Sequence, residues 1–152
     1  MALVRTDDAL LRRTAWLMLV TDVGFLVYWA LIATRALPAA QMFANYDDPF
    51  VAAWNWSFLP LDVLASLTGF LALRALHLGR SGAAVLLPIS LTLTATAGGM
   101  ALAFWTLTGD FELSWWVPNA YLMIFPLPLL LRLVRRPLGA PDLRQPTQHP
   151  SQ

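Results

Sequence analysis

Apolar residues run through this chain in four blocks of about 20 residues or more, and polar residues gather in the short stretches between them. A helix that crosses a bilayer needs about 20 mostly apolar residues to span a hydrocarbon core about 30 Å thick. The first block runs from about Thr14 to Thr34 (TAWLMLVTDVGFLVYWALIAT), and the second from about Pro49 to Leu76. The third runs from about Ala83 to Leu107, and the fourth from about Ser114 to Val134. Asp48 before Pro49 is a strong start for the second helix. A carboxylate caps free amides, and proline is tolerated at the first helical position. The predicted fold class is all-α: an integral membrane four-helix bundle with spans at about 14–34, 49–76, 83–107 and 114–134 in one domain over 1–136. The stretch 137–152 is rich in Pro, Gln and Ser and is expected to be a disordered cytoplasmic tail.

The arginines give the arrangement a direction. All ten basic residues are Arg. Arg5, Arg12 and Arg13 precede the first span. Arg74 and Arg80 flank the turn between the second and third, and Arg132, Arg135, Arg136 and Arg144 end the chain. Four spans put these nine on one side, leaving Arg35 on the other with Asp47, Asp48, Asp110 and Glu112. Cytoplasmic loops carry the excess of basic residues, so both termini are expected in the cytoplasm, with the chain in the cell's inner (plasma) membrane. Three spans would place the arginines on opposite sides and lose the asymmetry. The first block is too long for the apolar region of a signal peptide and is expected to stay as an anchor.

Composition agrees. The hydrophobic fraction is 58% and only 12% of residues are charged, about half the share of a soluble domain. A net charge of +1 provides no basic surface for nucleic acid. The absence of cysteine excludes disulfides, thiol catalysis and thiolate metal sites. His77 and His149 fall in a turn and in the tail with no other ligand near in sequence, so no metal site and no cofactor are expected. The expected partners are the lipid bilayer and a lipophilic small molecule. Oligomeric state is left open.

Two carboxylates lie within spans. A charged Asp at the bilayer centre costs about 2.5–3.5 kcal/mol on insertion scales, so Asp22 and Asp62 are functional candidates by default. Counted from the ends of their spans, the two differ in depth by about one helical turn, close enough for two neighbouring acids to share a proton. The alternative is structural: each acid meets a hydroxyl such as Thr21 or Ser66 and pins helix packing. In span 2, Asn55, Leu59, Asp62 and Ser66 recur at helical spacing and share the face expected to look into the bundle. Pro60 predicts a kink and a free carbonyl at Trp56. Trp54 and Trp56 fit either that pocket wall or an interfacial aromatic belt, and Trp115 and Trp116 fit the belt. Asn119 lies near the expected level of Asn55 and within bonding reach across the bundle. Pro126 and Pro128 interrupt span 4. In span 3, Ala95 and Gly99 form a small-xxx-small pair expected to bring a neighbouring helix close. The candidate pocket residues are Asp22, Trp29, Asn55, Asp62, Asn119 and Tyr121.

The stretches TDVGFLVYW (Thr21 to Trp29), YDDPFVAAWNWSFLPLDVLASLTG (Tyr46 to Gly69) and WWVPNAYLMIFPL (Trp115 to Leu127) resemble the YvaD-like family of small bacterial membrane proteins. That resemblance implies four spans and brings no chemistry with it. The chain is also similar to the sterol-isomerase and sigma-2-receptor superfamily in Asp48-Pro49 before helix 2, in the acidic Asp62 within it, and in the run from Asn119 to Pro126. This second likeness implies a pocket between helices for sterols or amphiphilic amines, with Asp62 and Asp22 facing the ligand. Three functions follow. The leading one is a membrane protein that binds a lipophilic small molecule in an intramembrane polar pocket. The others are an isomerase or cyclase with Asp22 or Asp62 as acid and tryptophans stabilising a cation, and a small oligomerising transporter or complex subunit.

Overall fold

A computed structural model describes residues 9–36 and 47–135. The expected tail and most of the loop after the first span lie outside the described residues. The order is α1 (Ala9–Thr34), α2 (Pro49–Ser57), α3 (Leu59–His77), α4 (Ala83–Thr108), α5 (Leu113–Ile124) and α6 (Leu127–Arg135), with no strand among the described residues. Helices α2 and α3 are the two parts of one span, Pro49–His77, and α5 and α6 of another, Leu113–Arg135. Four helices are therefore long and apolar enough to cross a membrane.

Local signals set the ends. Asp48 caps α2 as expected, its Oδ1 accepting from the amides of Phe50 (2.8 Å) and Val51 (3.4 Å), with Pro49 in the first turn. Helix α3 ends where Gly79 takes φ 61°, and the Arg80 amide returns to the carbonyl of Ala75 at 2.8 Å. Helix α4 ends in the same way at Gly109 (φ 73°), with Asp110 bonding back to Trp105. Helix α1 uses this turn without a glycine: Arg35 sits at φ 52° while Ala36 bonds back to Leu31.

A proline stands at or just after each interruption. Phe58 joins α2 to α3 in right-handed conformation (φ −79°, ψ −21°), so the span bends and continues. The Phe58 amide bonds the carbonyl of Asn55 at 3.1 Å, a tightened turn at the break two residues before Pro60. Pro126, almost wholly buried, separates α5 from α6.

Packing runs α1 on α3, α3 on α4 and α4 on α5, while α6 touches both α4 and α1. The arginine-bearing end is thus closed by α6 over a core of Leu11, Met18, Ala72, Leu87, Leu91 and Leu129. Toward the other end a second core joins Trp29, Ile32, Phe58, Ala97 and Ala101. Polarity is arranged opposite to a soluble protein. Thr14, Thr21, Asp22, Asn55, Asp62, Ser66, Ser90 and Thr94 are buried, while Trp16, Val20, Val27, Leu67, Val85 and Leu107 are exposed. Hydroxyls inside link neighbouring helices: Ser66 donates to the carbonyl of Asp22 (3.2 Å) and Ser90 to that of Ala65 (3.0 Å). Such interhelical bonds contribute about 0.6 kcal/mol each on average in membrane proteins.

Close approach occurs one residue from where the small-xxx-small pair placed it. A Cβ on Gly98 would stand 2.5 Å from the carbonyl oxygen of Asn119 and 2.7 Å from the amide of Met123, so α5 lies directly on Gly98. Gly99 has ordinary room, 3.7 Å to the Met123 sulfur. The spacing rule found the right turn but not the face. The buried stripe of α4 runs through Ser90, Thr94, Ala97, Gly98 and Ala101, with Ala95 and Gly99 at its edge.

Candidate functional site

Between α1, α2, the start of α3, α4 and α5 lies a cavity of about 180 Å³, on the side of the bundle away from α6. Its shape follows from the split fourth span. Helix α6 packs against α1, whereas α5 leans mainly on α4 and meets α1 through the Thr21–Tyr121 hydroxyl pair. Small residues of α4, Ala97 and Ala101, leave the space, and α1 and α2 wall it with Phe25, Tyr28, Trp29, Trp54 and Phe58. Trp105 of α4 and Trp115, Pro118, Asn119 and Leu122 of α5 complete the lining. The aromatic wall is built from rings in mutual contact. Trp54 stacks on Phe104 with centroids 3.9 Å apart and meets Trp105 edge-on at 5.4 Å.

Polar groups enter this apolar space from one face of the second span, as the spacing of Asn55, Asp62 and Ser66 predicted. Asp62 is 5% exposed and Asn55 8%. The indole N–H of Trp29 donates to Asp62 Oδ2 at 2.9 Å, and the hydroxyl of Tyr28 donates to Asn55 Oδ1 at 2.9 Å. Two adjacent residues of α1 thereby take one atom of each group. The other atoms, Asp62 Oδ1 and Asn55 Nδ2, are buried without a hydrogen-bond partner. A buried polar atom left unsatisfied costs about 1–3 kcal/mol, so this pair calls for an explanation.

Of the six residues picked out by sequence, Trp29, Asn55, Asp62 and Asn119 line the cavity, and Asp22 and Tyr121 do not. Asp22 is buried with its carboxyl laid over Gly69 of α3, in space that exists because Gly69 has no Cβ. The register of α1 on α3 sets Asp22 against Gly69 and Trp29 against Asp62. The acids are thus seven residues apart along each helix (29 − 22 and 69 − 62), roughly 10 Å at 1.5 Å per residue. That is about two turns and not one. In this register Thr14 is level with His77, so the ends of the two spans match and the difference arises because Asp62 stands deeper in its span than the one-turn expectation allowed. Neither expected hydroxyl meets the Asp22 carboxylate: Ser66 bonds its backbone, and Thr21 bonds the Tyr121 hydroxyl at 3.2 Å. The Asn55–Asn119 bond does not form either, since the amide of Asn119 donates to the carbonyl of Trp115 (2.8 Å) within its own helix. Trp115 faces the cavity. Trp116 instead stacks on Phe111 and donates its ring N–H to the carbonyl of Asp110. Sequence reasoning passed over Ala97 and Ala101. Their smallness is legible in the sequence, but nothing there tells a packing contact from a void. Among the described residues no group of His, Asp and Glu is placed to hold a metal ion.

Four long apolar helices with polar groups turned inward suggest a multi-pass membrane protein. The profile of a family of unknown function (DUF5360) matches residues 14–138, and the chain belongs to that family. It is 46% identical over 121 residues to the uncharacterized protein YvaD of Bacillus subtilis (strain 168), a match covering 78% of this chain and 91% of that one. No solved structure matches.

Proposed function

We propose that this protein is an integral membrane protein of the cell membrane, with its arginine-rich end in the cytoplasm, and that its cavity binds the head of a lipophilic small molecule. The observation that carries the reading is the pair of unsatisfied buried atoms, Asp62 Oδ1 and Asn55 Nδ2, in residues that line an otherwise aromatic cavity. Asp22, outside the cavity, also keeps one buried oxygen, Oδ2, without a partner, so what singles out Asp62 and Asn55 is that both residues line the space. A void of about 150 Å³ takes up benzene in an engineered protein, so this cavity of about 180 Å³ suits a group of about one ring. The lipid environment supplies both the ligand and its route.

Photolabelling tests the reading. A long-chain hydrocarbon bearing a diazirine near its head, irradiated with the purified protein, is expected to mark peptides around Trp54–Phe58 and Trp115–Leu122. Excess unlabelled probe is expected to compete, and Ala101→Phe, which fills the cavity, to remove the label. Labelling spread over outward positions such as Val85 and Leu107, without competition, would rule the cavity out as a binding site.

A further inference from the structure

Resting on that reading, we infer that the ligand enters the cavity sideways from the membrane, through the seam between α1 and α5, and that the Thr21–Tyr121 hydroxyl pair is the latch of this entrance. The other walls are joined at the level of the cavity. Helix α1 is tied to α2 by the Tyr28–Asn55 hydrogen bond (2.9 Å) and by Trp29 against Trp56, and to α3 by the Trp29–Asp62 bond. Helix α2 is tied to α4 by the stack of Trp54 on Phe104, and α4 to α5 at Gly98. The edge of α5 toward α1 has no comparable tie. Helix α5 contains no buried residue, and the hydrogen bond that joins it to α1 among the described residues is the one between the Thr21 and Tyr121 hydroxyls, at 3.2 Å. Beside that pair the α1 side of the seam is uncovered. Thr21, Gly24 and Tyr28 share a face of α1, yet a Cβ on Gly24 would meet no atom within 4 Å. Across the seam, Pro118 lines the cavity and is exposed as well, and Tyr121 is 38% exposed. The fold also lets α5 swing. Pro126 and Pro128 have no amide hydrogen, so the helical bonds to the carbonyls of Leu122 and Ile124 are missing at the join with α6. Helix α6 is fixed in the core by Leu129, whereas α5 is held along one edge and at one end, and a segment with few buried contacts opens at low cost. Thr21 stands at the midpoint of α1, and the cavity lies from there toward the end away from the arginine cluster. In the proposed orientation the entrance therefore faces the hydrocarbon of the outer leaflet and admits molecules dissolved in it.

The chain has no cysteine, so the pair introduced by Thr21→Cys and Tyr121→Cys is unique and can be bridged by a short bis-methanethiosulfonate reagent that reduction removes. The diazirine-bearing hydrocarbon is added to the full chain for a fixed short time and irradiated. Before bridging, the pair lacks the hydroxyl bond, and labelling of the Trp54–Phe58 peptide is expected to rise at least as fast as in the unaltered chain. Bridging before the probe is added is expected to remove that labelling, and reduction to restore it. Bridging after loading is expected to leave it, because the site is intact and the probe is trapped. Gly24→Trp is a second test that needs no bridge. Its side chain falls in the open space of the seam, outside the cavity, so uptake is expected to slow while labelling at equilibrium stays unchanged. Uptake slowed neither by bridging nor by Gly24→Trp, with competed labelling still present, would overturn the inference in favour of entry from the water-facing end and leave the lipophile-binding reading standing. Loss of label in both orders of bridging would also overturn it, since the bridge would then distort the site and not close a path. Absence of competed labelling in the unaltered chain would overturn both.

Discussion

Two residues show how much a single side chain can control here. Asp22 occupies space that a methyl group on Gly69 would fill. Gly69→Ala is expected to destabilise the fold by about 1–3 kcal/mol, the usual cost of forcing atoms into a packed interior. Asp22→Gly in the same chain is expected to recover most of that, because it removes the atoms in the way. Thermal unfolding of the two single variants and the double variant in detergent measures the coupling, and strictly additive effects would mean that the carboxyl does not rest on Gly69. Arg35 offers the opposite sign. It holds φ 52° at the end of α1, a region that costs an ordinary residue about 1–2 kcal/mol and glycine little. Arg35→Gly is therefore expected to raise the unfolding temperature, by an amount reduced by the greater freedom of glycine in the unfolded chain. No change or a decrease would show that the turn is held by something other than backbone preference.

Between elements, the decisive contact is α5 on Gly98. The atoms a Cβ would strike are the backbone of Asn119 and Met123 and the Cβ of Leu122, none of which can swing aside as a side-chain tip does. Gly98→Ala is expected to part α4 from α5 and cost several times more than Gly99→Ala, whose Cβ would meet only the flexible end of Met123. Equal unfolding temperatures for the two variants would contradict the packing of α5 described above. Gly98→Ala has a further consequence, since α5 also carries Trp115, Asn119 and Leu122 into the cavity wall. Probe labelling is expected to weaken along with stability. The cavity is a product of how the two halves of the fourth span divide their contacts: α6 closes the bundle against α1, and beyond the break at Pro126 α5 packs mainly on α4.

At the scale of the molecule, charge and apolar length act together. Arg12, Arg13, Arg74, Arg80, Arg132 and Arg135 gather at one end of the bundle, and Arg35, Asp47, Asp48, Asp110 and Glu112 at the other. Reporter fusions after Arg80 and at Gln152 are expected to read cytoplasmic, following the basic side of the chain. A periplasmic reading at either junction would exclude the proposed orientation.

The sequence by itself determined the four apolar helices, the cap at Asp48 and the inward face of Asn55, Asp62 and Ser66. Each of these depends on residues within a few turns of one another: length against bilayer thickness, a carboxylate beside free amides, a period of 3.6. The neighbours of Asp22 and Asp62 were not legible in this way. They depend on how far α1 slides along α3, and an apolar helix surface fits a neighbour at several registers that hydropathy does not distinguish. Only the tertiary structure set Asp22 over Gly69, moved the close contact from Gly99 to Gly98, and gave Trp29 and Tyr28 to Asp62 and Asn55. The cavity was decided there too. An empty space is the shape left by several helices at once, and Ala97 and Ala101 read alike in sequence whether a helix or a void lies against them.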